Sequence, residues 1–486
     1  MLRKFFLTLS IGWFVCAVAR SDTPPVAIFD VNDYGAGADG KTMTAALQKA
    51  IDACAKAGGG RVVIPAGTYL TGPIHLTSNL DLHLDGGAIV LFSRNCADYP
   101  LIYSNFNGPN TVACTSPITG DNLHDVSITG PGTFDGQGDA WRPVKKEKLS
   151  KDQWTKLVRS GGVVDPATAT WFPSPNAIKD AEQLKQAQES GSPQTSEGFE
   201  RFHELLRPAL MSLNNCRNVL LDGPTFRNSP NWNVHPYLCT NVTVRNVTIF
   251  NPAYAQNGDG IDFDSCSNVT MTDSTINAGD DAICLKSGRD EAGRKLHRPT
   301  ENVVISHCTI GTGHGGITIG SEMSGDVRNV TVSHCDLNGT DGGLRFKTVR
   351  GRGGVVENVR ISDIHMADIR QGAIEFDMYY GIRRPAMRPE AVSDGTPQFH
   401  DFQISNVICD GAQTALNLRG LPEMPIAGIS FENVHVTAEM PGQIINVKDI
   451  TLKGVEIRTP SNGKVEIQNV RNLVTQEVEG ISLLGP

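Results

Sequence analysis

Short alternations of apolar and polar residues recur along this chain, as in VTVRNVTIF at 242–250 and VVIS at 303–306, each followed by a Gly/Asn/Asp turn. Such runs predict half-buried strands rather than helices. They carry a repeated Asn-Val pair at Asn218-Val219, Asn246-Val247, Asn268-Val269, Asn302-Val303, Asn329-Val330 and Asn358-Val359, at spacings of 28, 22, 34, 27 and 29 residues. Weaker copies continue as FQISNV, ISFENV and ITLKGV. Units of this length cannot bury an apolar face alone, so irregular periods in this range indicate a stacked solenoid. The expected architecture is all-β: a single-stranded right-handed parallel β-helix, with Val stacked inside and Asn forming a hydrogen-bonded ladder at one turn. Several of these Asn residues also form N-x-T sequons, but a glycan there would collide with the packed turn.

An open end of such a helix exposes core and unpaired strand edges. TMTAALQKAIDACAKA at 42–57 places Ala46, Leu47, Ala50, Ile51 and Cys54 on one stripe. That predicts an N-terminal capping helix, begun by a Thr cap and stopped at Gly58-Gly59-Gly60. Residues 26–486 read as one domain interrupted by an insertion at 141–206, where strand repeats lapse. Its 149–160 and 176–189 stretches read as helices, the first with Leu149, Trp154, Leu157 and Val158 on one side. Trp141, Trp154 and Trp171 are expected to form a small core there, the alternative being an aromatic wall for a sugar ring.

Composition narrows the class. The 486 residues are 39% hydrophobic, 20% charged and 6% aromatic, with 50 Gly and 27 Pro. That is a turn-rich globular chain rather than a disordered one or a membrane bundle. The net charge of −9 makes nucleic acid a poor partner. Arg3 and Lys4, an apolar run from Phe5 to about Ala19, and the small-x-small Ala17-Val18-Ala19 read as a signal peptide over 1–19. The protein is therefore expected to be exported, periplasmic or secreted, with no membrane association after cleavage. Ten cysteines remain. Cys216, Cys239 and Cys266 each precede an Asn-Val pair, so they read as a stack of buried free thiols rather than crosslinks.

Four turns carry candidate chemistry: NGDGID at 257–262, AGDDAI at 278–283, GTGHGGI at 311–317 and LRFKT at 344–348. Singly each is a common turn or surface strand. Their phase against the repeat is what matters: Asp259, Asp281, His314 and Arg345 follow their Asn-Val pairs by 13, 13, 12 and 16 residues. With strands ~4.8 Å apart, successive coils would stack them in one strip about 15 Å long. Crowded carboxylates cannot all ionise easily, so one of Asp259, Asp280 and Asp281 should keep a proton while another stays ionised, as glycoside hydrolysis requires. Arg345 and Lys347 would hold an acidic sugar, the Arg by two parallel hydrogen bonds to a carboxylate.

The segments NGDGIDFDSCSNV, NAGDDAICLKSG, GTGHGGITIGSEMSG and GTDGGLRFKTVRGRGG resemble the four signature segments of the polygalacturonases, glycoside hydrolase family twenty-eight. The likeness extends from VNDYGAGADGKT to NSPNWNVHP at 228–236 and along nearly the whole chain after the leader. It implies a pectin-lyase-like solenoid and an inverting hydrolase of α-1,4-linked galacturonate. It also implies pectic polysaccharide or oligogalacturonate as the partner and no metal or organic cofactor; a monomer is expected. By motif position Asp280 resembles the general acid, Asp259 and Asp281 the pair activating water, and His314 the histidine supporting the acid. Arg345 and Lys347 resemble the pair binding the sugar carboxylate beyond the scissile bond. A downstream substrate-binding tyrosine matches Tyr380, with Tyr379 adjacent. Two positions depart from the family pattern: Gly258 where a Thr is usual, and Phe346 where an Ile is usual.

Inversion predicts an acid separated from the water-activating carboxylates by roughly 6.5–9.5 Å. Three alternatives remain open: a rhamnogalacturonan hydrolase, a calcium-dependent pectate lyase with an ultraviolet-absorbing product, and a noncatalytic tailspike-like β-helix. His314 and the cationic pair weigh against the lyase. Exo action is expected over endo because the 141–206 insertion is long enough to wall off one end of a groove.

Overall fold

The computed structural model describes residues 27–37, 43–104, 111–189, 195–383 and 387–482. The expected signal peptide at 1–19 lies outside them, and no described helix is long and apolar enough to cross a membrane. The chain coils into a right-handed parallel β-helix whose strands each pair in parallel with the strand one coil later. Its core is a set of columns. One runs Val219, Val242, Val269, Val303, Val330 and Val359 in direct register, each at most 2% exposed. Every such valine contributes about 1.5–3 kcal/mol by leaving water.

The Asn ladder exists with one change of register. Asn218 donates to Asp125, Asn241 to Asn218, Asn268 to Asn241, Asn302 to Asn268, Asn329 to Asn302 and Asn358 to Asn329, at 2.7–3.1 Å. The ladder member of the second coil is thus Asn241, not Asn246, which bonds Asp222 at the next corner. Two Asn-Val pairs five residues apart share that coil, and spacing alone cannot choose between them. Each ladder Asn also has φ between 51° and 58°, a left-handed conformation that Asn tolerates better than other side chains with a Cβ.

The capping helix spans Thr44–Lys56, with Leu47, Ala50, Ile51 and Cys54 buried, and packs on strands Ile28–Asp30 and Gly60–Ile64. Its N-cap is Met43, without a side-chain bond. The Thr44 hydroxyl instead accepts from the Gly72 amide at 2.6 Å, which ties the helix to the coils rather than capping it; Thr42 lies outside the described residues. All ten cysteines of the described chain are free, nine of them buried.

The insertion holds helices Lys151–Arg159 and Ala177–Glu189 and a three-stranded antiparallel sheet of Val144–Lys145, Val163–Asp165 and Thr170–Phe172. Those strands are too short to register as an alternating pattern. The first helix buries none of its residues, so the expected apolar stripe through Trp154 and Val158 lies on the surface. The three tryptophans do not share one core. Trp141 packs edge-on against Tyr99 beside Phe199, Phe202 and Leu206, whereas buried Trp171 donates from Nε1 to the Gly161 carbonyl at 2.7 Å.

Candidate active site

Strand register aligns the acidic turns. Ile261 pairs with Ile283 and Ile283 with Ile317, so Asp259 and Asp281, each two residues earlier, fall on one column and Asp280 falls beside His314. The column then continues as Gly315 and Gly342. A Cβ on Gly315 would stand 3.0 Å from Asp281 Oδ1 and 3.2 Å from Arg345 Cδ. The missing side chains are what let Arg345 and Lys347, three and five residues into their strand, reach back to Asp281. They are therefore not at the same corner as the carboxylates, as the spacing from the Asn pairs suggested; they meet them by side-chain length.

All six candidate positions join one network. One oxygen from each of Asp259, Asp280 and Asp281 lies within 4.8 Å of the others. Lys347 Nζ is 2.6 Å from Asp281 Oδ2, and Arg345 Nη1 is 3.3 Å from Asp281 Oδ1. His314 Nδ1 is 3.0 Å from Asp280 Oδ1, and its Nε2 is 2.9 Å from Lys148 Nζ of the insertion. An ammonium can only donate, so Nε2 accepts and Nδ1–H points at Asp280. Tyr380 lines the pocket beneath Lys347, whose Nζ lies 4.8 Å from the ring centre. Tyr379 is buried in the core, which separates the two tyrosine candidates. Phe346 stacks on Phe376 at 4.3 Å inside the coil and fills the interior behind the cationic pair.

The carboxylates divide by environment. Burial raises Asp259 well above the usual carboxylate range, helped by the charges of Asp262, Asp280 and Asp281 and opposed by Lys286. Burial acts the same way on Asp281, but Lys347 and Arg345 outweigh it and hold that carboxyl far below its usual value. The retained proton therefore sits best on Asp259 in the ligand-free site. Because the three oxygens are so close, the 6.5–9.5 Å separation is not met. Adjacent coils are only ~4.8 Å apart, and carboxylates that share a column point to the same side, which keeps them close.

Sequence reasoning missed Lys286, Asp262 and Trp232. Lys286 Nζ is 3.1 Å from Asp262, 3.5 Å from Asp259 and 3.8 Å from Glu322, and lies 3.7 Å from the centre of the Trp232 ring. Burial disfavours its charge, yet Asp262, Cys284, Asp259 and Glu322 hold it well above its ordinary value. Burial pushes Asp262 up to about 6 against the pull of Lys286 and His235. The signal was available: Asp262 and Lys286 lie in the motif segments that contributed Asp259 and Asp281. The three acidic oxygens are close enough to hold a divalent cation, but the buried ammonium groups of Lys347 and Lys286 already supply positive charge to Asp281 and Asp259, and an ion there would be repelled by both.

The pocket over this network encloses about 530 Å³. Its wall includes Asp259, Asp280, Asp281, Lys286, Lys347, Tyr380 and Trp232, together with Val112, Leu184, Leu205 and Leu206. The last three leucines bring the insertion to the site. Of the chain's tryptophans described here, Trp232 and not the insertion's three faces the pocket.

Known proteins place the chain in a family. Residues 194–453 match the model of the glycosyl hydrolases family 28, and residues 28–109 match a rhamnogalacturonase A/epimerase, pectate lyase-like model. The chain is 30% identical to an endo-polygalacturonase of Pectobacterium carotovorum subsp. carotovorum, over 84% of this chain and 88% of that protein. It is 26% identical to an exo-poly-alpha-D-galacturonosidase of Dickeya chrysanthemi, over 89% and 71%. Among solved structures, a hyperthermoactive exopolygalacturonase from Thermotoga maritima superposes with a TM-score of 0.72 at 27% identity, covering 95% of this chain and 96% of that one.

Proposed function

The chain belongs to the glycosyl hydrolases family 28, and from that premise we propose that it hydrolyses α-1,4-linked galacturonate, acting from a chain end and inverting the anomeric centre. The observation that carries the reading is the network itself: three carboxylates within 4.8 Å, flanked by cations, in a pocket that the insertion walls on one side.

Asp280 donates to the leaving oxygen. It is the least buried of the three carboxyls, and His314 Nδ1–H orients it. The proton belongs to the cluster rather than to one residue. It passes from Asp259 to Asp280 as substrate enters, which arms the acid and leaves Asp259 ionised. A water between Asp259 and Asp281 then attacks C1 while the Asp280 proton moves to the leaving sugar oxygen. The water's proton returns to Asp259 and restores the resting state. Asp281 is poorly suited to attack carbon itself, because both its oxygens are held by Arg345 and Lys347; it can still accept a hydrogen bond from water. That favours direct attack by water, hence inversion, in spite of the short spacing. Arg345, Lys347 and Tyr380 bind the sugar beyond the cut.

We also place the working enzyme outside the cytoplasm as a monomer, with 1–19 removed and 26–486 forming one catalytic unit. The support for export and cleavage is the Arg3-Lys4 and Phe5–Ala19 pattern.

The deciding experiment is digestion of de-esterified homogalacturonan with product sizes and anomers followed over time. Monomer alone from the first time point, released as the β-anomer, is expected. A ladder of oligomers overturns exo action, α-anomer overturns inversion, and absence of new reducing ends overturns hydrolysis. Asp280→Asn should bind substrate while kcat falls roughly 10²–10⁴-fold.

A further inference from the structure

Arg207, Lys286, Arg289, Lys347 and Arg352 line the catalytic pocket. Four of them have a carboxylate partner: Lys286 has Asp262, Lys347 has Asp281, and Arg289 and Arg352 share Asp290. Arg207 differs. Its Nη1 donates to the carbonyls of Pro230 at 3.0 Å and Gln256 at 2.8 Å, and its Nη2 donates to Asn257 Oδ1 at 3.1 Å. All three acceptors are neutral, and among the described residues no ion pair forms at Arg207. Burial and the nearby Arg142 charge both act against its cation. A guanidinium has five N–H donors, so Nε–H and one Nη2–H remain, which is the number a carboxylate takes in a two-point contact.

Its place in the fold is equally specific. Gln256 and Asn257 belong to the coil that carries Asp259, and Pro230 to the coil before it. Arg345 and Lys347 lie two coils past Asp281 in the other direction. Arg207 and the Arg345–Lys347 pair thus flank the three carboxylates from opposite sides, and Arg207 is on the side closed by Leu205 and Leu206. Support of the 228–232 loop does not explain it, since Arg142 already holds that loop through the Ser229 carbonyl and Asn228 Oδ1.

We propose that Arg207 receives the carboxylate of the galacturonate lying on the closed side of the cut, so that the enzyme reads the acid group of the terminal sugar as well as that of the sugar beyond the scissile bond. This rests on the galacturonan reading of the site and adds to it a specificity-determining residue that directly follows the insertion.

The test compares trigalacturonate with the same trisaccharide whose non-reducing terminal carboxyl has been reduced to the alcohol. The measurements are kcat/KM for the unmodified protein, Arg207→Gln and Arg207→Lys, with thermal midpoints to confirm folding. The unmodified protein should prefer the acid roughly ten- to a hundredfold, the range of a charge-assisted hydrogen bond. Arg207→Gln should abolish the preference, and Arg207→Lys should keep part of it. A proportional loss on both sugars, or no preference in an active unmodified protein, overturns the role of Arg207. If the unmodified protein cleaves neither trisaccharide nor homogalacturonan, the galacturonan reading itself falls. Should Arg207→Gln fail to fold, the preference of Arg207→Lys decides in the same way.

Discussion

Replacing Lys286 by Met removes one positive charge and keeps an apolar stem over Trp232. In the intact protein that ammonium stands 3.1 Å from Asp262 and 3.5 Å from Asp259, and both acids are almost wholly buried. At an effective dielectric of 20 the Asp262 contact alone is worth about 5 kcal/mol. Partial protonation of the stranded acids limits the loss, and breaking buried pairs commonly costs about 3–5 kcal/mol. Urea unfolding at pH 7 should register a loss of that size. Lys286→Met/Asp262→Asn should recover a large part of it, because the double variant leaves no unpaired charge at 262. Activity should shift as well. Asp259 must be ionised to take a proton from water, and without Lys286 it ionises only at higher pH. The acidic limb of kcat/KM should therefore move upward in the single variant. A stability loss below about 1 kcal/mol, a double variant no more stable than the single one, or an unmoved limb would refute the assignment of Lys286 as the compensating charge.

Two further predictions concern the other supports of the site. In Lys347→Met, Asp281 loses its strongest cation and keeps Arg345 and the more distant Lys286 against its burial, so its carboxyl rises toward the ordinary range. A depressed carboxyl contributes stability that is present above about pH 3.9 and lost as pH falls through the folded value, so the acid-unfolding midpoint, followed by tryptophan fluorescence, should move to higher pH; an unchanged midpoint would show that Lys347 does not hold Asp281. Asn302→Ala removes the bond to Asn268 and the one from Asn329 and places a Cβ-bearing non-Asn residue at φ 57°. It should cost about 1–3 kcal/mol in urea unfolding, and Asn302→Gly, which relieves the backbone, should cost less.

Much of this was legible in the sequence because a β-helix converts spacing into contact. The Asn-Val repeat gave the coil, and the coil brought Asp259, Asp280, Asp281 and His314 together. The errors arose where a one-dimensional period had two solutions, as with Asn241 and Asn246, or where reach mattered more than phase, as with Arg345 and Lys347. The insertion was recognisable as a break in the repeat. Nothing in its pattern, however, could indicate that Lys148 meets His314, 166 residues away, or that Leu184 and Leu205 face the pocket, since these contacts depend on tertiary packing rather than local preference.

Lys286 and Asp262 were overlooked for a different reason. An acid-base reading of a sequence looks for groups that react, whereas a buried site also needs groups that make those charges tolerable. Asp281 is held ionised by two cations on the later coils, and Asp259, served by one more distant ammonium that it shares with Asp262 and Glu322, retains its proton more readily. Two aspartates on a single column thereby acquire opposite electrostatic tendencies. The glycines at 315 and 342 are part of that asymmetry, because they vacate the column on one side of Asp281 and admit Arg345 and Lys347 there. On the other side the column is filled by Asp259 itself, and the next available cation must come from within the strand at Lys286.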